Sequence, residues 1–335
     1  MSIEKKIQAL CHSVHRLQEV SRDQDMQRKI EGENPWFVGR FVDQAIENLR
    51  SQWLNEQVLQ EIVAHYHLNS PINKRLALIF AGNIPLSGMH DFICGYLTGC
   101  HIQIKLSSKD RQLWGLFFHE MQQMDDTFTG QIQVVEKVKD FDTIIATGSD
   151  TTFPYFAHYF SAYSNILRRN RNSLAVLRGD ESEEQLQALA DDILLYFGLG
   201  CRNVSHILIP HDFPPESLLP HFSRYSWLHQ HTRYMNNYDY QRTLLMMNQV
   251  PHVANEQVIL TENANIPSPI SVLYFSRYHS SDEIIQYYST NKDKIQCVVS
   301  AYSLEGIPTT KPGLAQQPHW NDYADGIDTI QFLLS

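Results

Sequence analysis

The stretch LALIFAGNIPLSGMHDFICGYLTGCHIQIKLSSKD, residues 76–110, decides the fold. It opens with LALIFAG (76–82), a continuous apolar run ending in glycine, which is how parallel strands buried on both faces read. A helix follows in MHDFICGYL, where Met89, Phe92, Ile93, Tyr96 and Leu97 share one face. HIQIKLS (101–107) then alternates apolar and polar residues as a strand does.

The alternation continues downstream. RQLWGLFFHEM reads as a helix with Leu113, Leu116 and Phe117 inward. QIQVVEKV and DTIIATG are strand candidates, and FAHYFSAY puts Phe156, Tyr159, Phe160 and Tyr163 at helical spacing. SLAVLRG (173–179) is a further strand. Strands alternating with helices imply a mostly parallel, doubly wound α/β sheet. Upstream, the first 70 or so residues read as helical, through IQALCHSVHRLQEV and FVGRFVDQAIENLRSQWLNEQVLQEIVAHY. The C-terminal half mixes strand runs (HILIP, SVLYFSRY, IQCVVSAY) with helices such as SSDEIIQYYS. FPPESLLPHF begins with prolines suited to a helix start, so a second α/β unit is expected there.

At 335 residues the chain can bury one large core or two modest ones, and two subdomains is the expectation. A net charge of −10 argues against a nucleic-acid backbone as partner, with RRNR at 168–171 the one basic exception. Five cysteines with no CxxC pair, and a charged N-terminus lacking an apolar signal core, predict reduced thiols in a cytoplasm. No apolar run approaches the ~18–20 residues of a membrane span. Neither cysteine spacing nor the clusters AHYHL and HQHTRY supply a ligand set, so no metal is expected.

In DESEEQLQALADDILLYFGLGC, Ser182 and Gln185 fit a capping box, and Leu186, Leu189, Ala190, Ile193 and Phe197 form a buried stripe. The helix should end near Gly198, leaving Cys201 in a loop just past a helix C-terminus. That end of a helix does not acidify a thiol. Locally, Cys201 is a nucleophile, a metal ligand or a small core residue. Cys94, Cys100 and Cys297 read as core.

Taken together and in order, FAGNIPLSGMHDFICGYLTGCHIQIKLSSKD, DTIIATGSDTT, RRNRNSLAVLRGDE, FGLGCRNVSHILIP and the tail GLAQQPHWNDYADGIDTIQFLL resemble the LuxC-type acyl-CoA reductases. These are a branch of the aldehyde dehydrogenase superfamily. The resemblance spans about 76–335, and the first 75 residues fit less distinctively. It implies an aldehyde-dehydrogenase-like fold: N-terminal helices and a dinucleotide-binding domain over 1–172, a smaller catalytic α/β domain over 173–318, and a C-terminal segment, 319–335. Cys201 would face the cleft between the domains.

The resemblance also distributes roles. Cys201 would accept the acyl group from coenzyme A, since thiol–thioester exchange is nearly isoenergetic. Asn83, in Asn83-Ile84-Pro85, occupies the oxyanion-hole position, where an amide donor is typically worth ~3 kcal/mol. The backbone N–H of Cys201 would supply the second donor to that oxyanion; read locally, Gly82-Asn83 makes a simple turn before Pro85. Lys105, Ser107 and Ser108 would meet the adenosine ribose, or the 2′-phosphate of NADPH; read locally, Ser107, Ser108 or Asp110 would cap the next helix. Thr147-Gly148-Ser149 would approach the pyrophosphate. No Gly-x-Gly-x-x-Gly is present, as in the superfamily. Arg168 or Arg169 stands where oxidising members keep a water-activating Glu, and is assigned to phosphates of NADPH or coenzyme A. His319, with His206 as rival, is the candidate for handling the proton. The implied activity is NADPH-dependent reduction of a fatty acyl-CoA to the aldehyde, with NADH as the other cofactor. A CoA-independent aldehyde dehydrogenase, a cysteine acyltransferase and a non-catalytic binding or scaffold member are the alternatives. A homo-oligomer is left open.

Overall fold

A computed structural model describes residues 2–149 and 151–335, so Asp150 of the DTIIATGSDTT segment lies outside the described residues. The chain forms two compact units, 1–170 with 318–335, and 171–317.

The first unit begins with four helices, α1 (Ile3–Ser21), α2 (Gln24–Glu33), α3 (Gly39–Gln52) and α4 (Glu56–His65). The segment read as one helical stretch over 37–66 is broken at Asn55, whose side chain accepts from Val58 N at 3.0 Å and starts α4. Then come β1 (Arg75–Ile79), α5 (Met89–Thr98), β2 (His101–Lys105), α6 (Arg111–Met124), the single turn α7 (Phe128–Gln131), β3 (Ile132–Val134), β4 (Thr143–Thr147), α8 (Phe153–Tyr159) and β5 (Ser164–Arg168). All five strands are parallel, in the order β3-β2-β1-β4-β5. Leu76 pairs with Ile102 on one side and Thr143 on the other, which puts the turn in strand order between β1 and β4. Phe80, Phe92, Trp114, Phe117 and Phe128 form the aromatic heart of the core.

Sequence patterning misses β5. Only Ile166 and Leu167 in SNILR are aliphatic, because an edge strand needs little apolar surface. The FAHYFSAY helix is shorter than expected. Phe156 and Phe160 pack against Phe141 and Ala146, Tyr159 faces solvent, and the partly exposed Tyr163 lays its ring 4.5 Å from that of Phe141.

The second unit holds β6 (Asn172–Val176), α9 (Glu183–Leu194), β7 (Val204–Pro210), 3-10 turns over Pro215–Gln230, α10 (Thr232–Met247), β8 (His252–Ala254), β9 (Ile259–Glu262), β10 (Val272–Tyr278), α11 (Ser281–Asn291), β11 (Ile295–Val299) and β12 (Thr309–Thr310). Its strand order is β12-β11-β6-β7-β10-β9-β8, parallel except for β8. The helix expected from FPPESLLPHF is a run of 3-10 turns, because Pro220 has no N–H to continue an α-helix.

The tail 318–335 is not a separate part but rejoins the first unit, ending in α12 (Thr329–Leu334). Trp53 Nε1 donates to Pro318 O at 2.9 Å, Tyr66 to Asp328 at 2.8 Å, and Lys74 Nζ to Leu333 O at 3.0 Å. The structural limits fall at 170/171 and 317/318, against 172/173 and 318/319 from the sequence. Among the described residues no helix is long and apolar enough to cross a membrane.

Candidate active site

In an open parallel sheet, ligands settle beyond the carboxyl ends of the strands where the strand order reverses. Here that place is flanked by the loops after β1 and β4, with the loop after β2 alongside. The β1 loop carries Asn83 at an exposed tip. Its base is pinned: Asn34 Nδ2 donates to Gly82 O at 3.3 Å, Ser87 Oγ to Ala81 O at 2.9 Å, and Leu86 N to Asp110 Oδ2 at 2.7 Å. A Cβ on Gly82 would lie 2.4 Å from Ser107 Oγ, so glycine is what lets the β1 and β2 loops meet.

Lys105 ends β2 with its side chain exposed, Ser108 is exposed and Ser107 half-buried. None of Ser107, Ser108 and Asp110 caps α6. Glu33 accepts from Arg111 N at 2.8 Å and Gln112 N at 2.9 Å instead. Asp110 is spent on Leu86, and burial raises its carboxyl far above the usual range. Thr147 ends β4. After it, Ser149 O accepts from Thr152 N and Phe153 N, each at 2.9 Å, and the Ser149 hydroxyl lies 2.7 Å from that of Thr151. A Cβ on Gly148 would come within 2.5 Å of Thr152 Oγ1. The described residues of the three loops thus offer Lys105, Lys109, several hydroxyls and the Asn83 amide, and no carboxylate but the buried Asp110. That donor set suits the phosphates and ribose hydroxyls of a dinucleotide.

Arg168 corrects its expected role. It ends β5 next to Thr147 but is 7% exposed. Its guanidinium donates to Asp91 Oδ1 at 2.7 Å, Ala324 O at 2.9 Å and Thr329 Oγ1 at 3.1 Å, with Asp325 at 3.7 Å. Burial opposes charge on both partners, yet each holds its charge more firmly than usual, Asp91 through Arg168 and His90, Arg168 through Asp91. This charge is committed inside the unit and leaves none for a phosphate. Arg169 is exposed, its guanidinium 4.0 Å over the Phe153 ring.

Cys201 lies in the turn between α9 and β7, and of the five free cysteines it alone is exposed. The Ser182–Gln185 capping box forms as read. At the other end α9 stops at Leu194, four residues before Gly198, and the chain runs through Tyr196, Phe197 and Gly198 with φ of 54°, 58° and 73°. Phe197 is buried against His231 and Tyr234, at ring distances of 4.3 and 5.6 Å. Asn203, to which the sequence assigns no role, ties this segment together through its side chain. An Asn two residues past the cysteine, in a turn between helix and strand, is the only signal that marks it.

The other cysteines are interior or partly so. Cys94 and Cys100 are buried, with thiols raised by burial. Cys297 lies 3.0 Å from Ser173 Oγ. His206 is core: fully buried in β7, stacked on Tyr287 and lowered by burial to about 4, it is neutral at physiological pH. His319 is exposed in the first unit, Nδ1 2.7 Å from Asn321 Oδ1.

The fold is that of the aldehyde dehydrogenases. Aldehyde dehydrogenase 21 from Physcomitrella patens, in complex with succinate, matches with a TM-score of 0.66 at 9% identity, over 93% of this chain and 78% of that one. A betaine aldehyde dehydrogenase double mutant from Staphylococcus aureus, in complex with NAD+ and with a BME-modified cysteine, matches with a TM-score of 0.65 at 11% identity, over 95% and 74%. Within that class the acyl-CoA reductase (LuxC) family model matches residues 40–213, more than half the chain, and the protein belongs to this family of oxidoreductases. No curated protein matches by sequence.

Proposed function

We propose that the protein reduces a fatty acyl-CoA to the aldehyde with NADPH, using Cys201 as acyl acceptor. The observation that carries this reading is that Cys201, in the segment that resembles the family's cysteine motif, is the one exposed thiol of five. The Cys201 thiolate attacks the thioester carbonyl, the carbon–sulfur bond to coenzyme A breaks, and the departing thiolate takes up a proton. Asn83 donates from its amide to the oxyanion of each tetrahedral intermediate. The nicotinamide, when bound, supplies the hydride that reduces the enzyme thioester. Collapse of the resulting thiohemiacetal frees the aldehyde and returns Cys201.

Lys105, Ser107 and Ser108 bind the adenosine ribose and its 2′-phosphate, and Thr147, Gly148 and Ser149 lie along the pyrophosphate. Arg169, exposed where Arg168 is not, takes the remaining phosphate role. His319 is the group assigned to proton transfer. With an arginine pair where a water-activating Glu would stand, the thioester is protected from hydrolysis and exchange with coenzyme A is favoured. Nicotinamide absorbance at 340 nm, followed with acyl-CoAs of several chain lengths in wild type and Cys201→Ala, tests the reading. Oxidation of NADPH that depends on both acyl-CoA and Cys201 is expected, and no oxidation at any chain length would end it.

A further inference from the structure

The last carbonyls of a helix have no partner within it. After α9 the chain passes into a 3-10 turn over Leu195–Gly198 in which two bulky residues, Tyr196 and Phe197, take the left-handed region before it reaches Gly198. Such a backbone persists only where its surroundings over-determine it. Here Asn203, 1% exposed, does so with one amide. Its Nδ2 donates to Asp192 O at 3.0 Å and Leu195 O at 2.9 Å, and its Oδ1 accepts from Gly200 N at 2.8 Å.

The backbone of the same residue closes the turn. Asn203 N donates to Gly200 O at 3.1 Å, and Asn203 O accepts from Ser173 N on β6 at 2.9 Å. The Ser173 hydroxyl donates to Cys201 O at 3.3 Å. Residues 200–203 are therefore bolted at one end to the helix and at the other to the sheet, with Cys201 between. Asp192 extends the arrangement, its carboxylate accepting from Gly313 N at 2.6 Å and Ala315 N at 3.0 Å. Only a planar amide supplies two donors and an acceptor at this reach. Aspartate keeps the acceptor and loses the donors, and alanine loses all three.

We infer that Asn203 is a positioning residue for Cys201, holding the turn so that the thiol is presented in one place for acyl transfer. The inference rests on Cys201 being the acyl acceptor. Misplacing a reacting atom by about 1 Å can cost ~100-fold in rate, so position should matter to acylation and not to attack on a small, freely tumbling reagent.

The test compares wild type, Asn203→Ala and Asn203→Asp in the full-length protein by three readouts: single-turnover acylation by acyl-CoA, alkylation of Cys201 by iodoacetamide, and peptide-level hydrogen exchange. Both variants should slow acylation at least tenfold while alkylation stays within twofold. Exchange in 195–203 should quicken with the rest of the molecule unchanged. Loss of fold would also stop acylation and leave an accessible thiol open to alkylation, so unchanged exchange outside 195–203 is what assigns the separation to the turn. Should Asn203→Ala fail to fold, Asn203→Asp carries the test through the bond it keeps to Gly200 N. Acylation within twofold of wild type, or unchanged exchange in 195–203, overturns the inference. Wild type that alkylates but accepts no acyl group overturns the functional reading instead, and the exchange result still decides whether Asn203 orders the turn.

Discussion

Cys94 and Cys201 stand in opposite settings, one buried and one exposed, and on the proposed function the contrast teaches what selects a nucleophile. Cys94 has the neighbours of one: its Sγ is 3.6 Å from His90 Nε2, and His90 Nδ1 is 3.2 Å from Asp91. Yet it is 4% exposed, and burial, with the Asp91 charge second, raises its thiol far above the ordinary range. Asp91 is held by Arg168, which in turn holds the returning tail. This cluster is a buried polar network that fastens 318–335 to the first unit. Cys201 has access, on a turn whose backbone Asn203 and Ser173 hold. On the proposed function, access and position outrank a suggestive set of neighbours.

The largest test of the contrast is direct. Cys201→Ala should lower acyl-CoA-dependent NADPH oxidation by at least about 1,000-fold, as loss of a covalent nucleophile does, whereas Cys94→Ala should leave the rate within about threefold. A large loss in Cys94→Ala with its fold intact would break the comparison.

Next is the network around Cys94. Arg168→Met strands the Asp91 carboxylate in the interior and should cost about 3–5 kcal/mol in urea denaturation. Arg169→Ala, at an exposed position, should change stability by less than about 0.5 kcal/mol. Equal effects would mean that the buried pair does not anchor the tail.

The second unit offers a pH test with two opposed signs. Asp192 is raised by burial, against two backbone N–H donors, to about 7. Its folded value lies above its unfolded one, so its contribution to stability is full below about pH 4 and is lost as pH rises to about 7. His206, lowered by burial to about 4, works the other way: the unfolded chain binds the extra proton below pH 6.5, so stability falls as pH drops from 6.5 towards 4. Chemical denaturation across that range should show the two partly offsetting in wild type. Asp192→Asn should steepen the loss on acidification, and His206→Gln should reverse the slope. Parallel slopes in both variants would contradict these assignments.

The smallest effect concerns the cofactor edge. Lys105→Ala should raise the KM for NADPH about tenfold, near the 1.4 kcal/mol of one exposed charge-assisted contact, and change that for NADH by less than twofold. Equal shifts would move the 2′-phosphate away from Lys105.

Legibility in the sequence followed the strength of the local signal. The strand–helix–strand unit over 76–110 was readable because LALIF is buried on both faces and its helix carries a full apolar stripe. β5 was not, since an edge strand can be mostly polar. The residues proposed for the site, Asn83, Lys105, Ser107, Ser108 and Thr147–Ser149, come from segment resemblance, and the structure adds only that the strands before them end at one edge of one sheet. Arg168 misled because RRNR looks like a solvated basic run. Its partners, Asp91, Ala324, Asp325 and Thr329, lie far away in sequence, and no periodicity reports them. Asn203 and Asp192 were invisible for the same reason, since their bonds go mostly to backbone atoms.

The central claim, that Cys201 carries the acyl group, is tested most directly by incubating the protein with a fatty acyl-CoA in the absence of NADPH and mapping the adduct by peptide mass spectrometry. The account predicts one acyl group on the peptide containing Cys201, absent from Cys201→Ala and released when NADPH is added. An unmodified Cys201, or an adduct on another residue that NADPH discharges, would contradict it.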